Sequence, residues 1–165
     1  MPRYEFRQWD RLQNIKGEAY AYLHHIITNY NHLADVTVFL NDEVPTHQRE
    51  GAAYSDITKY VKEARSNGIS FKIPGRTLRD FESVTSRTSH LGTLAHFWKA
   101  VFNKSPPARV TFSRGSCFGV KRELVRERPI EFYQKILSQL NADHSLEFNN
   151  YMEKLWIALF SGDAD

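Results

Sequence analysis

A single cysteine in 165 residues, Cys117, excludes an intrachain disulfide and a cysteine-only zinc site. It fits a reducing compartment such as the cytoplasm. No apolar run approaches the roughly 20 residues needed to cross a bilayer, so no membrane span is expected. Residues 1–13 carry three Arg and no apolar core of the signal-peptide kind, so neither leader nor anchor is expected there. The Gly-x-Ser-x-Gly elbow, the phosphate-binding P-loop and the Rossmann glycine fingerprint are all missing. Charge of one sign is also scarce: 22 Lys+Arg against 19 Asp+Glu leave +3. The basic residues do not gather on one element, so nucleic acid is not an expected partner despite a sequence pI of about 9.0.

What is present is core material. The chain is 41% hydrophobic and 13% aromatic, with 25% charged residues and a mean hydropathy of -0.53. That balance describes a folded chain of one domain, residues 1–165, with no repeat and no Gly/Ser-rich linker.

Five segments carry helical periodicity. In 16–30, Ala19, Leu23, Ile26 and Tyr30 fall on one stripe. Segment 56–66 follows Ser55, a cap-forming residue, and ends at Asn67-Gly68; Ile57, Val61 and Ala64 share its face. Segment 90–102 holds Leu91, Leu94, Ala95, Trp98, Val101 and Phe102. Pro129 suits the first turn of 129–140, striped by Tyr133, Ile136, Leu137 and Leu140. The last helix, about 145–160, aligns Phe148, Met152, Leu155 and Leu159.

Strands are shorter. Residues 35–40 are β-branched and apolar on both faces, which predicts a central strand covered by helices. Residues 69–73 alternate, 109–113 and 117–120 flank a polar Arg-Gly turn, and 4–6 could form an edge strand. Segments 41–54 and 74–89 lack a clear period. The expected class is α/β, a short mixed central sheet flanked by about five helices.

Candidate chemistry falls in three places. Strand 35–40 runs into Asn41-Asp42-Glu43, with His47 in the same loop. Acids beyond a strand's carboxyl end can bind a divalent metal or sugar hydroxyls, or can simply be solvated. Ser113-Arg114-Gly115-Ser116 offers a guanidinium, two hydroxyls and backbone N–H groups for an anion or a sugar, or a tight strand connection. Glu153, at the edge of the last apolar stripe, suits either a partly buried ion pair or a base aimed into a cleft. His24, His25, His90 and His96 lack metal-ligand spacing, and Cys117 reads as a buried inert thiol.

The order of these motifs resembles the DUF3431 family. Residues 14–27 with 33–40 are similar to its opening. Phe112 through Glu123 resembles its Gly-Ala-x-Phe segment, 128–133 its Arg-Pro-x-x-Phe-Tyr, and 151–156 its Tyr-Met-Glu-Arg-Leu-Trp. The family's Gly-Arg-Glu stands here as Lys16-Gly17-Glu18, and no Asp-x-Asp metal motif is present.

The resemblance implies a fold similar to GT-A glycosyltransferases but abbreviated at the N-terminus. It implies transfer of a sugar from a nucleotide-sugar donor to a glycan acceptor. By position, Gly115, Ser116 and Phe118 would line the cleft, with Glu153, or else Asp42, as the base. Glu18 would sit on the donor side, Lys16 and Arg114 would face the diphosphate, and Asp42, Glu43 and His47 would hold manganese or magnesium. A catalytically silent carbohydrate-binding or interaction module of the same ancestry is the alternative, with Tyr54, Tyr60 and the 74–89 segment stacking on sugar faces.

Overall fold

The structure is a computed structural model and describes residues 17–40, 50–71, 76–84, 90–140 and 145–162; the side chains of 50–56, Arg114 and Ser145 fall outside that description. Among the described residues the order is α1 (Glu18–Asn29), β1 (Val36–Phe39), α2 (Glu50–Asn67), β2 (Ile69–Phe71), β3 (Arg76–Leu78), α3 (Leu94–Phe102) and β4 (Val110–Phe112). A short 3-10 turn (Arg114–Ser116) then leads to β5 (Phe118–Lys121), α4 (Arg122–Arg126), α5 (Ile130–Ser138) and α6 (Ser145–Ser161). The mixed helix-and-strand class is as the sequence predicts.

The strands form two small sheets, one of three strands ordered β1-β5-β2 and one pairing β3 with β4. Every described pairing is antiparallel. The central strand is therefore β5. Among the described strands, residues 36–39 lie at the edge of the sheet instead of its predicted centre, and Val36, Thr37 and Val38 are only half-buried. Their two-sided apolar character has another cause: helices cover both faces of this narrow sheet even at its edge. On one face Phe39 and Phe118, paired in register, meet Tyr22 of α1 and Trp156 of α6 with ring centroids 4.7–6.0 Å apart. On the other face α2 lies so close that a Cβ at Gly119 would stand 3.3 Å from the Tyr60 carbonyl oxygen. Ser70 Oγ donates to that same carbonyl at 2.7 Å and fastens β2 to α2.

α6 is the axle of the fold. Its residues 155–160 are all buried, which is how a helix apolar on every side must sit. Phe97 of α3 packs on Phe148 and Tyr151, and the Tyr151 hydroxyl donates to the Gly92 carbonyl at 2.6 Å. α5 completes the layer against α1. There Tyr30 donates to the Arg128 carbonyl at 2.6 Å, and Tyr133, fully buried, donates to the Val125 carbonyl at 2.8 Å. Burial pushes the Tyr133 phenol above its ordinary value.

Helix bounds differ from the sequence reading where short-range signals mislead. α2 begins at Glu50, so Ser55 lies inside the helix and is not its cap. Its predicted C-terminal stop holds, with Gly68 at φ +84° donating its N–H to Ala64. α4, five residues long, and β3, three residues long, are too short to show a period. Residues 4–6 lie outside the described residues.

Candidate functional site

The turn after β4 does not make a hairpin, because β4 and β5 enter different sheets. Gly115 and Ser116 both adopt positive φ, +81° and +53°, a backbone cost a serine bears only where its surroundings hold it. Three bonds do so. Ser113 Oγ donates to the Cys117 carbonyl at 3.5 Å, Cys117 Sγ donates to the Gly115 carbonyl at 3.3 Å, and Gly115 N–H donates to Glu153 Oε2 at 2.9 Å. The Ser116 hydroxyl, buried with its residue 1% exposed, has no hydrogen-bond partner among the described residues.

Glu153 comes from α6. Its other oxygen lies 3.6 Å from Lys154 Nζ, and a quarter of its side chain remains exposed. Lys154 reaches across the Phe112 ring of β4, 5.7 Å from its centroid, and donates to the Asn150 carbonyl. A carboxylate has about four lone-pair sites, so two neighbours leave capacity for a hydroxyl from a ligand.

One helical turn earlier on the same stripe of α6 stands Asn149. Its Oδ1 accepts the Ala19 N–H at 2.9 Å. α1 thus starts at Gly17 without a side-chain cap of its own and takes one from α6. The α1 start, bearing Glu18, and the 114–116 turn are seated one helical turn apart on α6.

The structure therefore brings together Glu153, Gly115 and Ser116, and places Glu18 at the neighbouring helix start. Phe118 is fully buried in the aromatic core behind the turn. Arg114 belongs to the turn by its backbone. Lys16, Asp42, Glu43 and His47 lie outside the described residues, as does the Tyr54 side chain. Among the described residues no cluster of three His, Cys, Asp or Glu is arranged to hold a metal. Tyr60 is half-buried on α2. The histidines take ordinary roles: His96 completes a capping box with Thr93, and His25 hydrogen-bonds Asn29. Cys117 is buried and unbridged, as expected.

Two residues escape sequence reasoning. Asn149 offered one signal, a poor helix former set among apolar residues. Glu147, 5% exposed, accepts the His90 N–H at 3.3 Å through Oε2; its only signal was an acid between apolar neighbours.

The family profile of DUF3431, described as a protein of unknown function, matches residues 7–75 and 74–165. The chain belongs to the DUF3431 family. No curated protein and no solved structure matches this DUF3431 chain. No described helix is long and apolar enough to cross a membrane.

Proposed function

We propose that this DUF3431 chain is a glycosyltransferase-like protein that moves a sugar from a nucleotide-sugar donor to a glycan acceptor. The observation that carries the reading is the 2.9 Å bond from Gly115 N–H to Glu153 Oε2. It joins, across 38 residues of sequence, the turn and the acid that the family resemblance sets on the acceptor side. In this reading Glu153 takes the proton of the acceptor hydroxyl as the sugar–phosphate bond breaks, its carboxylate aimed by Gly115. Lys16 and Arg114 are the proposed contacts of the departing diphosphate, and Asp42, Glu43 and His47 those of a divalent cation that would offset its charge.

The test is thermal shift and diphosphate release with UDP, GDP, CDP and their sugars, with and without manganese. One nucleotide class at about 100 times its Kd should stabilise the fold by roughly 2.7 kcal/mol. Glu153→Gln should lower transfer by about 100-fold or more, with an almost unchanged Tm, because the amide oxygen can still accept the Gly115 N–H. Early melting of Glu153→Gln would make this acid structural and remove it from the chemistry.

The second reading is a catalytically silent carbohydrate-binding or interaction module. It is favoured by the neighbours already held by both Glu153 oxygens and by the wholly antiparallel pairing of the described strands. Glycan binding without any nucleotide response selects it.

A further inference from the structure

The ribbon of β3 and β4 has two unlike faces. Val110 and Phe112 are buried, whereas Thr111 between them is half-buried and Thr77, its partner in register, is exposed. Residues directly opposite in an antiparallel pair hold their Cβ atoms about 5 Å apart, so the two threonines stand side by side. Arg109, two residues before Thr111, falls on the same face by strand alternation. Pro107 and the edge of Val110 complete a cleft of about 490 Å³ lined by these five residues, a size typical of small-molecule sites.

Arg109 gives the cleft a cationic group. Among the described residues no side chain pairs with Arg109, Thr77 or Thr111. The acids that follow β3 in the chain make local hydrogen bonds. Asp80 accepts the N–H groups of Glu82 and Ser83, and the Ser83 backbone bond leads in holding its carboxyl below the ordinary value. Glu82 accepts the Thr93 hydroxyl at 3.1 Å.

We propose that this cleft binds the phosphate oxyanion of a small phosphorylated ligand, with the Arg109 fork and the Thr77 and Thr111 hydroxyls as donors. A guanidinium matches two phosphate oxygens at once, and neighbouring hydroxyls supply the remaining hydrogen bonds. Pro107 adds an apolar wall. The inference does not depend on the role of Glu153.

The experiment is a pyrophosphate titration of the full chain followed by amide NMR, with sodium chloride at matched ionic strength as control. Saturable shifts at residues 76–78 and 109–112 are expected. Arg109→Ala should weaken the apparent Kd by roughly tenfold or more, and Thr111→Val by about fivefold. Thr111→Val keeps a residue that suits a strand, so it reads the hydroxyl without disturbing the ribbon. Lys16→Ala, which removes a proposed contact of the donor diphosphate, should leave the shifts at 76–78 and 109–112 as in the parent, which separates this cleft from the donor site. Shifts reproduced by chloride, or an Arg109→Ala protein indistinguishable from the parent, would overturn the proposal.

Discussion

Two helix starts in this molecule solve one problem in opposite ways. α3 is capped from within: Thr93 accepts the His96 N–H at 3.3 Å, and the His96 ring accepts the Thr93 N–H in return. Everything needed lies within four residues, in the reciprocal pattern of a capping box. α1 begins on Gly17, which brings no side chain, and its free N–H is taken by Asn149 from 130 residues away. The first start can form before the rest of the chain folds. The second exists only once α6 is in place, and it stands beside the Glu153 turn. Here the candidate site is built on the long-range kind of start, so its geometry depends on tertiary packing.

That contrast can be broken by substitution. The largest effect is expected from Gly17→Ala. Gly17 sits at φ +90°, and an added Cβ would collide with the Asn149 amide; strain of this kind costs on the order of 2 kcal/mol. The urea midpoint should fall at constant m. Combining it with Asn149→Ala should give less than the sum of the two losses, since the clashing group is then gone. Asn149→Ala alone should cost about 1–2 kcal/mol, because a part-buried N–H loses its acceptor. Thr93→Ala should cost least, about 0.5–1 kcal/mol, because its cap is exposed and water can replace it. Equal losses at Thr93 and Asn149 would erase the distinction between the two starts.

The same divide separates what was legible from what was not. The stripes of α1, α5 and α6 were readable because one-sided burial leaves its period in the residues themselves. Sheet membership was not. Val36–Phe39 looks central because helices apolarise both its faces, yet it lies at the edge; Val110–Phe112 and Phe118–Lys121 look like hairpin arms, yet they join different sheets. Each fact depends on a partner strand that no local pattern names. At the candidate site, Gly115 and Ser116 were marked by a polar turn between two apolar segments and Glu153 by its place at the edge of an apolar stripe, and the family's ordered motifs linked them. Asn149 was not, because its task is defined by where α1 begins. Thr77, Thr111 and Arg109 escaped for a similar reason: a three-residue strand shows no alternation until its register is known.

The position of β5 at the middle of its sheet has a consequence for how the chain is made. Its two neighbours, β1 and β2, precede it by tens of residues and do not pair with each other. During synthesis, which runs at about 5–20 residues per second, both must leave the ribosome with open edges. They wait there for several seconds before their shared partner arrives. α1 and α2 are both made before β5: α1 sets Tyr22 and His25 against Phe39 of β1, and α2, lying between the two strands in sequence, shields the opposite face during that interval. The close approach at Gly119 then works as a late latch: the strand that closes the sheet carries no side chain at the place where the waiting helix lies nearest.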